Sequence, residues 1–407
     1  MTEFEKTAPA WALPPLGRGL PLIFLSILAL VYAWLAIPLT LVPHSGLHTL
    51  FGGMVGNDFL SFYSVATMEW RHSAADAFDL ARLTQLQSAI SGTGLRLPFP
   101  YPPPFLLYVA PLAAMPYLTA LYFWIGATAA PFVWIARRMS GLALPLVALA
   151  PPLVQNAIDG QNGALTASLF AGGLMALTGR RPALAGILFG LLSYKPQVFV
   201  LIPICLLAAR QYRALAWVAA TAAFLVLASL AAFGFDAWLK FLDALSQEMS
   251  FIRGGHLPVG RCPTVFMSFL EVTGSVTAAN VAQGVSTLAA WAFVAWTWRR
   301  TDSVFPRALA FCVALPFSTP YMLEYDLAVW ALPASILLAR LWRGEGSGLD
   351  FAGLALLWLS PSLIWLASLA DLRGVVLAPL LLAPYAVWAV RRETPAVAQG
   401  QGVAAPA

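Results

Sequence analysis

Charge is what this chain has least of. Aspartate, glutamate, lysine and arginine make up only 10% of its 407 residues, against about a quarter in a soluble domain. That is too little to cover a water-facing surface, so any aqueous domain must be small. Cysteine is scarce too. There are three, of which Cys205 and Cys312 lie inside apolar runs and only Cys262 falls near a predicted aqueous loop. An odd count with two members in apolar segments excludes a disulfide framework and offers no metal-ligand spacing. Histidine occurs four times. His44 and His48 stand four apart, but no third ligand or nearby carboxylate joins them, and no metal site is expected. No glycine-rich nucleotide loop is present, and no cofactor is expected.

Apolar residues are what the chain has in excess: 60% of the composition, with a mean hydropathy of +0.77. A transmembrane helix takes ~20 largely apolar residues, which leaves room for roughly a dozen crossings. The net charge of +5 suggests nucleic acid only if its location is ignored. Paired arginines sit in short loops between apolar runs, the pattern of the positive-inside rule, and nucleic acid is not an expected partner. The stretch 20–42 is longer than a signal-peptide core of about 7–15 residues and is expected to stay as the first helix.

Arginine orients the remainder. Lys6 with Arg18, Arg137-Arg138, Arg180-Arg181, Arg210 with Arg213, Arg299-Arg300, Arg340 with Arg343, and Arg391-Arg392 all mark the cytoplasmic side. An even number of crossings must then separate each neighbouring pair. Residues 142–158 with 162–178, 182–194 with 197–209, 214–233 with 278–298, 305–319 with 326–341, and 350–368 with 374–390 satisfy this. The segment 101–136 is apolar enough for two crossings where orientation allows one. Its proline-rich part, 102–116, is therefore expected to be re-entrant or interfacial, because proline removes a backbone donor and strains a helix interior, the alternative being a thirteenth crossing with the arginine rule broken somewhere. The expected architecture is an all-α polytopic membrane protein of about 12 transmembrane helices (range 11–13 by the same count). Residues 1–19 form a cytoplasmic N-terminus, 20–391 one transmembrane domain and 392–407 a disordered cytoplasmic tail rich in Ala, Gly and Pro.

The outer side then holds a first loop, 43–100, and a large loop, 234–277, with short turns at 156–162, at Lys195, at 318–325 and at 371–373. In the first loop Leu80, Leu83, Leu86 and Ile90 recur at helical spacing, with Arg82, Gln85 and Gln87 off that face. This predicts an amphipathic helix over 77–90.

The polar residues gather on that same side. Asp58, Asp159, Gln161, Asn162, Lys195, Arg253, His256, Arg261, Glu324 and Asp326 all fall in outer loops or at outer helix ends. Ionisable groups near transmembrane segments are costly and mark sites or pathways. Asp58, in Gly56-Asn57-Asp58-Phe59, has a carboxylate that can serve as general base for a hydroxyl or cap a helix starting at residue 59. The turn Asn156 through Asp159-Gly160-Gln161-Asn162-Gly163 suits either a helix–helix turn or hydrogen bonds to a polar head group. Lys195, followed by Pro196, sits midway through an apolar region, where an ammonium must find an anion or reach water. Residues 251–263 place Arg253, His256 and Arg261 among glycines, as an anion-binding or a solvated loop would. Tyr321, Glu324, Tyr325 and Asp326 suit an interface belt or sugar stacking.

Five stretches in this order resemble glycosyltransferase family 87 of the GT-C superfamily: Gly56 through Asp58 to Tyr63, Tyr101-Pro102-Pro103-Pro104-Phe105, Asp159 through Gly163, Tyr194-Lys195-Pro196-Gln197, and Tyr321 through Asp326. The resemblance covers roughly residues 50–335. It implies a GT-C-type fold in a bacterial-type plasma membrane, acting at the outer face. It also implies inverting transfer of a sugar, typically mannose, from a polyprenyl-phosphate donor to a lipid or glycan acceptor. The family's essential acidic residue of the first outer loop falls on Asp58. From charge and side, Lys195, Arg253 and Arg261 are expected to hold the donor phosphate. Asn57, Asp159, Gln161, Asn162, His256, Tyr321, Glu324 and Asp326 are the candidates for sugar or acceptor contacts. The rival class is a transporter or flippase of a lipid-linked sugar, which needs polar residues through the whole membrane depth; here they are confined to one side.

Overall fold

The computed structural model describes residues 16–71, 74–253, 259–370, 372 and 374–394, and among them the chain is helical apart from two isolated β-bridges in the loop after the first helix. That helix, α1 (Leu16–Leu41), is followed by α2 (Phe59–Arg71) and α3 (Leu80–Ser91). The proline-rich stretch makes only short pieces: a 3₁₀ turn Pro103–Phe105, α4 (Leu106–Val109) and a second turn Ala110–Ala114. Then come α5 (Tyr117–Ser140), α6 (Leu144–Ala148), α7 (Pro151–Asp159) and α8 (Gly163–Thr178). Helix α9 (Pro182–Gly190) runs into a 3₁₀ turn, Leu191–Tyr194. Beyond Lys195 lie α10 (Pro196–Phe199) and α11 (Leu201–Ala208). The second half comprises α12 (Tyr212–Arg253), α13 (Val265–Thr273), α14 (Val276–Arg300) and α15 (Val304–Ser318). A 3₁₀ helix, Glu324–Trp330, leads into α16 (Ala331–Trp342), and α17 (Gly348–Leu369) and α18 (Leu382–Glu393) close the chain.

Five described helices are long and apolar enough to cross a membrane: α1 from Gly19, α5, α12 to Gln247, α14 and α17. Their outward faces explain why. Phe24 is 68% exposed and Trp34 74% on α1, Phe224 is 67% exposed on α12, and Leu288 is 67% exposed on α14. Rows of large exposed apolar side chains are stable only against lipid. Several other apolar helices are shorter. α8 has 16 residues, about 24 Å at 1.5 Å per residue, less than a ~30 Å hydrocarbon core. Helices of this kind are interrupted where the protein, not lipid, surrounds them. α8, α15 and the 3₁₀ helix before α16 are almost entirely buried. Broken backbone is tolerated at membrane depth in that setting because neighbouring segments satisfy it. The protein is thus a multi-pass membrane protein in which short buried helices, α8 and α15 among them, accompany the long ones.

The expected end of one crossing at residue 233 coincides with a break in α12. Gly234 lies at φ 77°, ψ 171°, and α12 resumes beyond it as far as Arg253. Part of the large loop is therefore helix. α3 forms as its periodicity predicts, capped by Asp79, whose carboxylate accepts from the amides of Ala81 and Arg82, and closed by Gly92 at φ 68°. One residue departs from that pattern: Gln87 is buried rather than on the polar face. Its amide donates to the Leu97 carbonyl at 2.7 Å and accepts from the Leu97 amide at 2.9 Å, so it pins the following extended segment. α18 runs past residue 391, after which the tail is expected to begin, and the tail from residue 395 on lies outside the described residues. Arg392 pairs with Asp350, and Glu393 with Arg340, both as part of α18.

Three helices that start at the polar turns run toward arginines at their other ends. α5 starts where Tyr117 donates to the Val55 and Gly56 carbonyls and ends at Arg137-Arg138. α8 starts at the 159–162 turn and leads to Arg180, and α16 starts at the Glu324 segment and ends at Arg340.

Candidate active site

Two glycines let the polar elements meet. Gly160 ends α7 at φ 64°, and a Cβ there would stand 2.6 Å from the Phe59 Cβ, so the turn can lie against the start of α2 only without a side chain. A Cβ on Gly163 would stand 2.4 Å from the Tyr325 carbonyl, so the Glu324–Trp330 backbone can reach the same turn. The amide of Asp58 donates to the Asp159 carbonyl at 3.1 Å, which ties the first loop to it as well.

The Asp58 side chain does not cap α2. Among the described residues its carboxylate accepts from the Asn57 amide at 3.0 Å and from Gln161 Nε2 at 3.1 Å, and it remains partly exposed. The orientation of Gln161 is decided by its other end. Gln161 Oε1 accepts from the Tyr101 hydroxyl at 3.2 Å and from the Asn162 amide at 3.3 Å, so the NH₂ must face Asp58. Tyr101 is itself set in an aromatic cluster, with its ring centroid 4.5 Å from Phe105 and 5.5 Å from Phe62. Sequence reading placed Tyr101 in a motif without giving it a role; its sixty-residue distance from Gln161 hid the contact. Tyr101→Phe is expected to lower turnover roughly tenfold, about one net hydrogen bond's worth of positioning, while leaving substrate KM near wild type. A KM change with turnover intact would place Tyr101 in binding instead.

Arg261 forms the second limb. Its Nε donates to Glu324 Oε1 at 2.8 Å, and one Nη donates to the same oxygen and to Asp159 Oδ2 at 3.2 Å. Its ring-facing side lies over Tyr325 at 5.9 Å. The other Nη has no partner among the described residues, and the side chain keeps 20% of its exposure. Asp159 is steadied further by Gln155 Nε2 at 3.2 Å, whose Oε1 accepts from the Tyr32 hydroxyl at 2.8 Å. Neither Gln155 nor Tyr32 was singled out in the sequence, although Gln155 lies one helical turn before Asp159 on α7. Burial raises the Asp159 carboxyl above its ordinary range; Arg261 opposes this, and the charges of Asp58 and Glu324 add to it. Glu324, with no exposure, is pushed up for the same first reason and held down by Arg261. One guanidinium thus serves two buried carboxylates, with a third, Asp58, nearby.

Lys195 forms the third limb. It is 1% exposed, donates to Asn162 Oδ1 at 2.7 Å and pairs with Asp326, whose other oxygen accepts from the Leu323 amide. The ammonium sits at the break between α9 and α10, so the anion it needed is supplied from within the chain. Asp58 and Lys195 belong to one polar cluster, joined through the adjacent residues Gln161 and Asn162. Asn57 and Tyr321 are partly exposed at its edge. His256 and the side chain of Arg253 lie outside the described residues.

The cluster sets a partly exposed carboxylate, Asp58, and a partly exposed guanidinium, Arg261, around the 159–162 turn. A family model described as Glycosyltransferase family 87 matches residues 99–323. Neither curated proteins nor solved structures include a match to the chain. The matched stretch takes in Tyr101, the 159–163 turn, Lys195 and Arg261, while Asp58 precedes it and Glu324 follows it directly. Because that stretch spans more than half of the sequence, the chain belongs to glycosyltransferase family 87.

Proposed function

We propose that this membrane glycosyltransferase transfers a hexose, mannose being the first candidate, from a polyprenyl-phosphate donor to a lipid or glycan acceptor, with inversion. The observation that carries the reading is that Asp58 and Arg261 are the two partly exposed charged groups of one hydrogen-bonded cluster, each held from behind by buried partners. On this reading the acceptor hydroxyl gives its proton to Asp58 as its oxygen bonds to the anomeric carbon. The bond from that carbon to the phosphate oxygen breaks on the opposite face, and the electron pair leaves with the polyprenyl phosphate. Charge grows on the phosphate in the transition state, and the unpartnered Nη of Arg261 would stabilise it there.

Lys195 takes a different part from a direct phosphate contact in this scheme. Its charge is neutralised by Asp326, and it holds the 159–163 turn against the 3₁₀ helix. Asp159 and Glu324 hold Arg261; Asn57, Gln161 and Asn162 border the base. Asp326 is taken up by Lys195 and the Leu323 amide, which leaves Tyr321, partly exposed at the cluster's edge, for sugar or acceptor contacts, with Arg253 and His256 on the segment leading to Arg261. The reading further assigns about 12 crossings, both termini to the cytoplasm, the cluster to the outer face of a plasma membrane and no divalent metal. The opposition between arginine-bearing helix ends and polar turns supports a one-sided enzyme over a transporter with access from both faces.

The test is incubation of the purified protein in lipid nanodiscs with labelled polyprenyl-phosphate hexoses and membrane lipid extract. Label passing to an acceptor with inverted anomeric configuration, and release of polyprenyl phosphate, is the expected result. No transfer from any donor, together with movement of a lipid-linked sugar across proteoliposomes, would replace this reading with the transporter.

A further inference from the structure

The arginine-bearing end of the bundle holds a groove of about 640 Å³ between the end of α11, the start of α12 and the end of α14. Ile204 and Leu207 line its apolar part, Tyr212 and Trp296 its sides, and Arg210 and Arg299 its rim. Both rim arginines are exposed, and neither has an acidic partner among the described residues. The acidic residue next to them in the chain, Asp302, is committed to Arg307 at 2.6 Å. A second groove at the same end, beside Trp388, keeps one such arginine, Arg391, because Arg392 there is bound to Asp350 at 2.7 and 3.1 Å. Among the described residues the first groove thus carries two arginines without an acidic partner where the second carries one.

The backbone at Arg210 adds an independent observation. α11 ends in a Schellman-type cap, with the Gln211 amide donating to the Leu206 carbonyl at 2.8 Å and the Arg210 amide to the Leu207 carbonyl at 3.1 Å. Arg210 sits at the left-handed position of that cap, at φ 56°. Glycine adopts this conformation without steric cost; the chain carries an arginine there, as it does at Arg180 after α8 (φ 53°), and the Arg210 side chain lines the groove. An apolar channel, two aromatic side chains of interfacial type and two unpaired guanidiniums match an anionic phospholipid, acyl chain against Ile204 and Leu207 and phosphate between the arginines.

The geometry points to a binding site for an anionic phospholipid of the membrane in this groove, separate from the polar cluster at the other end of the helices. Its test is independent of any transferase assay. Delipidated protein in zwitterionic detergent is titrated with cardiolipin or phosphatidylglycerol, with phosphatidylcholine, and with inorganic phosphate, reading the thermal midpoint and the lipid retained in native mass spectrometry. The anionic lipids are expected to raise the midpoint by several degrees and to be retained, the other two ligands to do neither. Arg210→Gly should keep or raise the lipid-free midpoint, since glycine suits the cap, yet lose most of the lipid-dependent shift. Arg210→Gly/Arg299→Gln should abolish that shift, whereas Arg210→Lys should retain most of it. An equal response to phosphatidylcholine, an equal response to inorganic phosphate, or a full lipid shift in the double variant would overturn the proposal.

Discussion

Replacing Asp58 by asparagine is expected to lower turnover at saturating donor and acceptor by about 10²–10⁴-fold, the range general-base catalysis supplies. The carboxamide keeps the shape of the carboxylate but cannot accept the acceptor's proton. Its structural cost is small. The carboxylate accepts one bond from Asn57 and one from Gln161, and Gln161 cannot reverse to suit an amide because Tyr101 and the Asn162 amide hold its oxygen. At most one hydrogen bond is lost, about 1 kcal/mol, against a catalytic loss several times larger. Initial rates together with the thermal midpoint separate the two effects. Turnover within a few-fold of wild type would remove Asp58 from the role of base.

The second large effect is expected at Arg261, and it is one of stability as well as activity. Glu324 is fully buried and Asp159 nearly so, and both face the same guanidinium. Arg261→Gln leaves them without a cation, and removing one partner of a buried ion pair costs roughly 3–5 kcal/mol. Because Arg261 is itself partly exposed, the lower end of that range is the expected value. Arg261→Gln/Glu324→Gln should recover most of the stability. Asp159 is then the sole carboxyl of the trio, and burial already favours its protonated, neutral form. Activity should not return in the double variant, since the group proposed to face the phosphate is still missing. Denaturation midpoints and transfer rates of both variants decide the matter. An unaltered midpoint in Arg261→Gln contradicts the stability argument, and restored transfer in the double variant contradicts the phosphate role.

The course of α12 shows how far local pattern reaches. Hydropathy ends a crossing at residue 233, and the helix breaks at Gly234; the exposed apolar faces of α1, α12 and α14 likewise follow from runs readable in the chain. The interior pieces resisted. α9 to α11 read as two plain crossings around Lys195, whereas the chain there is a short helix, a 3₁₀ turn and two more short helices. The break itself is buried, with Lys195 held by Asn162 and Asp326, and backbone interrupted inside protein is satisfied by neighbouring segments that hydropathy does not report. Gln87 was misplaced for a similar reason. Periodicity assigned it to the polar face, but an extended segment ten residues on offers it two backbone partners, and a buried amide with both bonds made is stable.

By itself the sequence determined that this protein lives in a membrane, that its polar residues gather away from its arginine doublets, and that its motifs are those of family 87. These properties depend on composition and short-range order, and bilayer insertion reads them residue by residue. Only the tertiary structure decided which ion meets which counter-ion. Lys195 pairs with a residue 131 positions away, and Arg261 with residues 102 and 63 positions away. In a low-dielectric interior each charge must find a partner, but which one it finds is set by where the backbone brings the segments together, and close packing at Gly160 and Gly163 made that choice.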